Sequence, residues 1–150
     1  MNELEVTEYL VRTFADVDTV VVSHNSFFFY NPDGVLEPDR RFPFVTLMTN
    51  DDNDRASDLS RPHIFRLNIG VKPETYRGLF GPQPHFNSEA WALDTDFASL
   101  DRILPHPVYA AMSWVCVLSP SPETFAVLEP LLAEACDLAV RRSAKGKDRG

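Results

Sequence analysis

The chain has 150 residues, 44% of them hydrophobic and 24% charged, with a formal net charge of −8 and an isoelectric point near 4.9. That suffices for one domain with an ordinary core; eleven Phe exclude wholesale disorder, and no apolar run approaches the roughly 20 residues that span a bilayer. The acidity is uneven: residues 1–140 carry nine Lys and Arg against twenty-one Asp and Glu, a balance of −12. A body so negative repels phosphate backbones, so neither nucleic acid nor membrane is expected as a partner.

In chain order, Asn2 and Glu5 form a candidate capping box ahead of Val6, Leu10, Phe14 and Val17 at helical spacing, which predicts a helix over residues 3–15. Residues 19–24 and 26–30 are continuous β-branched and aromatic runs, one bent strand or two short ones about Asn25. Asn31-Pro32-Asp33-Gly34 signals a turn, and residues 43–49, entered through Arg40 and Arg41, predict the next strand. Residues 50–62 form a polar loop; its Asp51-Asp52-Asn53-Asp54 lacks the alternation, central Gly and closing Glu of an EF-hand and reads as a solvated acidic stretch.

Residues 63–71 give the clearest strand, with Phe65, Leu67, Ile69 and Val71 apolar and Arg66, Asn68 and Gly70 facing the other way. Pro73 opens and Gly81 ends a short helix. A long loop follows over residues 82–96, then a helical turn or two through Phe97, Leu100 and Ile103, then a strand over residues 108–118. Ser121-Pro122-Glu123 starts a last helix reaching about Arg142, kinked at Pro130. Residues 1–142 make a single domain and residues 143–150 a disordered basic tail. The expected class is α+β, a mostly antiparallel sheet with the N- and C-terminal helices packed on one face. Strands 26–30 and 108–118 are apolar on both sides, so the second face needs a cover, for which the 82–106 loop and a homodimer contact are the candidates.

Chemistry-bearing patterns are few. Neither Walker nor Rossmann glycine signatures occur, the four His and two Cys have no metal-ligand spacing, and no nucleophile elbow is present, so no cofactor and no metal are expected. Cys116 and Cys136 sit among apolar neighbours and read as reduced. The opening Met1-Asn2-Glu3-Leu4-Glu5 lacks the regions of a secretory signal, so the expected compartment is the cytoplasm. Arg66 and Asn68, at i and i+2, stand side by side; a guanidinium there can hold a carboxylate or phosphate, or pair with an acidic neighbour.

Two strings carry a resemblance: Arg66-Leu67-Asn68-Ile69-Gly70-Val71-Lys72-Pro73-Glu74, and Met112-Ser113-Trp114-Val115-Cys116-Val117-Leu118 ahead of the Ser-Pro-capped helix with Leu131, Leu132, Ala135 and Leu138. Together they resemble the YjbR/MmcQ-like small bacterial α+β proteins, and more closely an uncharacterised actinobacterial family. The resemblance implies a two-layer sandwich and no reaction, cofactor or catalytic residue; the DNA-binding role suggested for some YjbR-like proteins is opposed by the −12 balance of residues 1–140.

Three functions are weighed. One is a small ligand-binding or accessory protein with a pocket on the open sheet face, its ligand a small molecule held by Arg66, Asn68 and His106 with Trp114 as an apolar wall. Another is a cofactor-independent acid–base enzyme on an anionic metabolite, with His106 or His24 as the catalytic group. The third is a protein whose apolar second face only mates with a partner. The enzyme needs a His within hydrogen-bond reach of Arg66. On the pocket reading, Arg66→Ala weakens binding at nearly unchanged melting temperature.

Overall fold

The computed structural model describes residues 1–34, 42–85, 88 and 90–148. Asn2 accepts from the Glu5 N–H at 2.9 Å and Glu5 accepts from the Asn2 N–H at 3.1 Å, so the capping box forms and starts α1 (Glu3–Thr13). Val6 and Leu10 are its buried face. The strands are β1 (Val17–Val22), β2 (Asn25–Tyr30), β3 (Val45–Met48), β4 (Arg66–Gly70), β5 (Leu104–Pro105) and β6 (Trp114–Leu118), in the order β1-β2-β3-β4-β6-β5 with every pairing antiparallel. The helix α2 (Pro73–Phe80) follows β4, and α3 (Pro122–Asp148) follows β6. The class is α+β.

Register assigns the two faces. Phe28, Val45, Ile69 and Val115 form one cross-strand row and Leu47, Leu67 and Val117 the next. Val6 and Leu10 of α1 and Phe125, Leu128 and Leu132 of α3 complete that core, so both terminal helices lie on this face. Tyr9 meets Phe125 edge-on at 5.1 Å and joins the two helices. The opposite face carries Phe27, Thr46, Asn68 and Cys116 in one row, Met48, Arg66 and Leu118 in another, and Gly70 beside Trp114. Its cover comes from the same chain. Leu59, in the loop read as solvated, packs on Met48 and Leu118, and Arg61 donates to the Ala98 carbonyl at 3.0 Å, linking this loop to the segment after residue 96. Among the described residues, no helix is long and apolar enough to cross a membrane.

The run 19–30 is two short strands, one of the two alternatives, joined by a tight hairpin at Ser23 and His24, both left-handed (φ +50° and +66°), so the turn occupies the two residues before Asn25. These are the signs that a two-residue type I′ turn demands. Three local expectations change. Residues 97–103 are not helical; Leu100 instead bridges Leu118 and Leu104 starts β5. The run 108–118 is a strand only from Trp114, because Ala110–Met112 is a 3-10 turn ended by Ser113 at φ +66°. A left-handed Ser gives no local warning of the kind Gly or Asn does. Finally, α3 runs through Asp148, past Arg142 and across Pro130; Ala144 and Lys145 are strong helix formers and Gly146 alone does not stop the helix. Arg40 and Arg41, part of the 82–106 loop (residues 86, 87 and 89) and the tail end at Arg149 and Gly150 lie outside the described residues.

Gly70 shows why a strand admits a residue with no side chain. A Cβ there would lie 2.9 Å from the Trp114 ring, which crosses it on the second face. Gly70→Ala is therefore expected to destabilise the fold by about 1–3 kcal/mol through overpacking, and Trp114→Phe in the same chain to recover part of it. Thermal melts of the single and double variants check this; an unshifted single variant would show that the indole does not occupy that space.

Candidate functional site

The polar face of β4 folds inward rather than outward. Arg66 is 1% exposed and Asn68 also 1%, because the 49–61 loop closes over them. Arg66 makes four hydrogen bonds at 2.6–2.9 Å: Nε to Asn68 Oδ1, Nη1 to Asp54 Oδ1 and Ser57 Oγ, and Nη2 to Asp54 Oδ2. Asn68 passes the chain on to Thr46 Oγ1 at 2.9 Å. The Arg66–Asp54 contact is bidentate, the geometry in which planar guanidinium and carboxylate match best. Burial raises the Asp54 pKa, but the hydrogen bonds and charge of Arg66 outweigh it and hold the carboxyl below its ordinary value. The acidic loop is thus a partner of Arg66, and Asp51 serves it as well by accepting from the Leu59 N–H at 2.9 Å.

His106 lies 3% exposed beside this network. Its Nδ1 accepts from the backbone N–H groups of Val108 and Tyr109, both at 3.0 Å. Burial, and then the positive charge of Arg66, push its pKa down to about 3 despite the opposing pull of Asp54. The ring is therefore neutral at physiological pH, and protonating Nδ1 would cost both hydrogen bonds. None of the Arg66 hydrogen bonds goes to a histidine. His24 sits exposed in the β1–β2 hairpin, its carbonyl accepting from Thr49 Oγ1 at 2.8 Å. Trp114 lies over Gly70, edge-on to His106 at 6.3 Å. Cys116 is buried and free, its thiol pushed up to about 12 by burial, which leaves no thiolate to react. Among the described residues no group of three or more His, Cys, Asp or Glu is placed to hold a metal ion.

A cleft lies elsewhere, between α2 and the segment 82–105, with a volume of about 420 Å³. Tyr76, Phe80 and Trp91 give it aromatic walls, and Pro82, Pro84 and Pro105 rigid ones. Its polar groups are Asp94, Thr95, Asp96 and Arg102. Several contacts fix the frame. Glu134 of α3 accepts from the Lys72 N–H and the Thr75 hydroxyl at the start of α2, at 3.1 and 2.8 Å. Gln83 donates to the Pro73 carbonyl and to Ser113 Oγ, at 2.9 and 3.0 Å. Trp91 meets Phe97 edge-on at 5.9 Å. Arg66, Asn68, His106 and Trp114, grouped from the sequence as pocket residues, share the second face of the sheet or its edge, and none lines this cleft. The cleft residues went unmarked in the sequence; the density of Pro around one Trp in a long loop was their only signal.

Residues 1–148 match the profile of a family of unknown function, DUF6194, and the chain belongs to that family. Neither the curated proteins nor the solved structures give a match. The YjbR/MmcQ-like resemblance and an actinobacterial origin find no support in these comparisons.

Burial reverses the expectation for Arg66. Removing one partner of a buried ion pair strands the other's charge and costs about 3–5 kcal/mol when both are fully enclosed. Asp54 retains 15% side-chain exposure, so Asp54→Ala is expected at the lower end, about 2–3 kcal/mol, by urea denaturation. A change below 1 kcal/mol would mean that water solvates Arg66 as well as Asp54 does. A second outcome follows from His106. Its folded pKa lies below the ordinary 6.5, so the unfolded chain binds the extra proton first, and stability held above pH 6.5 is lost as pH falls toward about 3. One such proton gives a slope of about 1.4 kcal/mol per pH unit. His106→Asn keeps an acceptor for the two N–H groups and removes the titration, so its stability is expected to fall less steeply from pH 6 to 4, by about 1 kcal/mol per unit. Parallel slopes would show that His106 titrates normally.

Proposed function

We propose that this protein is a small-molecule-binding module whose ligand occupies the cleft between α2 and residues 82–105. One observation carries the reading: a cleft of about 420 Å³ walled by three aromatic rings and three prolines, with a few polar groups at its margin. Ligand sites in soluble proteins are concavities of this order in which apolar walls are combined with placed polar groups. Proline and aromatic walls lose little conformational freedom on binding, so affinity is not spent on ordering the site. The acid–base alternative gains no comparable support. Neither histidine hydrogen-bonds to Arg66, and the guanidinium meant to hold an anion is already bonded to Asp54, Ser57 and Asn68.

The two tryptophans make the test simple, since Trp91 lines the cleft and Trp114 does not. Their indole N–H signals in a ¹H–¹⁵N spectrum are assigned by Trp91→Phe. Added 3-phenylpropanol, an uncharged aromatic probe, is expected to shift the Trp91 signal saturably and leave that of Trp114 in place. Equal movement of both signals, or of neither, would overturn the assignment of the site.

A further inference from the structure

The polar groups of the cleft are of both signs, and they do not neutralise one another. Arg102, Asp94 and Asp96 are exposed and line the same space. Among the described residues Arg102 makes no ion pair or hydrogen bond, nor does the Asp94 side chain. Among the described residues the Asp96 carboxylate accepts only the Ala98 N–H, at 3.0 Å, which uses one of its lone pairs. The contrast with Arg66 is direct: there a guanidinium meets its carboxylate at 2.6 Å, whereas here the opposite charges stand more than the 4.0 Å of an ion pair apart.

A second, independent feature belongs to the cleft. Tyr76 is 2% exposed and lines it, yet its hydroxyl has no hydrogen-bond partner among the described residues. Every fully inaccessible side-chain nitrogen or oxygen among those residues is partnered, so the Tyr76 hydroxyl is not fully enclosed, and Tyr76 is one of the residues that line the cleft. A buried Tyr among the lining residues brings one neutral donor and acceptor to the site. Burial also raises the Tyr76 pKa, so the phenol stays protonated.

These features select among ligands. A simple anion is opposed by the −12 balance of residues 1–140, and a simple cation leaves the Arg102 guanidinium without a counter-charge. A neutral apolar body alone leaves three charges without use. Resting on the ligand-binding reading of the cleft, we infer that its ligand is a small zwitterion with an apolar side group, of the class of an α-amino acid with an aromatic or branched side chain. Arg102 takes the carboxylate, Asp94 and Asp96 the ammonium, and Phe80 and Trp91 the side group. Tyr76 bonds the polar end.

Four probes sharing one aromatic body separate the terms: L-phenylalanine, phenethylamine, 3-phenylpropionate and 3-phenylpropanol, each titrated into the full chain at pH 7 with the Trp91 indole N–H as readout. Phenylalanine is expected to bind at least about tenfold tighter than any of the other three. Arg102→Gln is expected to bring it down to the level of phenethylamine, and Asp94→Asn with Asp96→Asn to that of 3-phenylpropionate. Both substitutions are of exposed side chains, and the probe series alone tests the inference should either variant fold poorly. Phenethylamine or 3-phenylpropanol binding as tightly as phenylalanine would overturn the zwitterion and leave the cleft as a binding site. A Trp91 signal unmoved by all four would remove the cleft reading itself.

Discussion

A guanidinium deep in a sheet must be answered, because an unpaired charge in a low-dielectric interior costs far more than any packing there returns. In this fold Arg66 is answered by Asp54, and much of the architecture follows from that pairing. The carboxylate comes from a loop twelve residues upstream, so the loop has to lie across the second face of the sheet. Once it does, Leu59 falls on Met48 and Leu118, and Arg61 reaches the Ala98 carbonyl. A polar stretch that would otherwise be solvated becomes the lid of a second, smaller core. Around Arg66, Met48 and Leu118 the second face of the sheet is covered by its own chain.

The same strand register carries order from this network to the cleft. Asn68 pairs with Cys116 in β6, and Cys116 with Leu104 in β5. Leu104 and Pro105 then form part of the cleft wall. The next residue, His106, turns inward and fixes the backbone after it through two N–H groups donated to Nδ1. On the other side, α2 is held at its first turn by Glu134 from the long C-terminal helix. Both walls are thus attached to regular elements instead of resting on the loop alone, which is the condition for a preformed site.

Much of this was legible locally. The Asn2–Glu5 box, Pro73 at the head of α2 and Gly81 at its end, and the alternation along β4 all depend on neighbours a few residues away, and all formed as the residues implied. What failed to show was non-local. The alternation along β4 places Arg66 and Asn68 on one face correctly but cannot say whether that face meets water or a loop. Asp54 looks like any acid in a polar run until Arg66 is known to be buried. The left-handed Ser113 that cuts the 108–118 run is held by its carbonyl accepting from the Val71 N–H at 3.1 Å, a tertiary contact with no trace in its own segment. The cleft is of the same kind, since its aromatics come from α2 and from a loop more than ten residues later.

Composition cannot separate a charge that builds the fold from a charge that awaits a ligand; satisfaction of its hydrogen bonds can. Arg66 has the more suggestive sequence context, on the polar side of an apolar strand beside an Asn, yet its donors are engaged by Asp54, Ser57 and Asn68 within 2.9 Å. Arg102 has an unremarkable context, between an acid and an apolar pair, yet it lines the cleft and among the described residues its donors are uncommitted. Committed donors have no further free energy to give to a ligand without first losing what they already hold, and for a buried ion pair that loss is large. Uncommitted donors in a solvent-filled cleft exchange water for ligand at little cost. On this criterion the proposed ligand contacts fall to Arg102, Asp94, Asp96 and Tyr76, whereas the conspicuous polar residues of β4 are already engaged with one another and with the 49–61 loop.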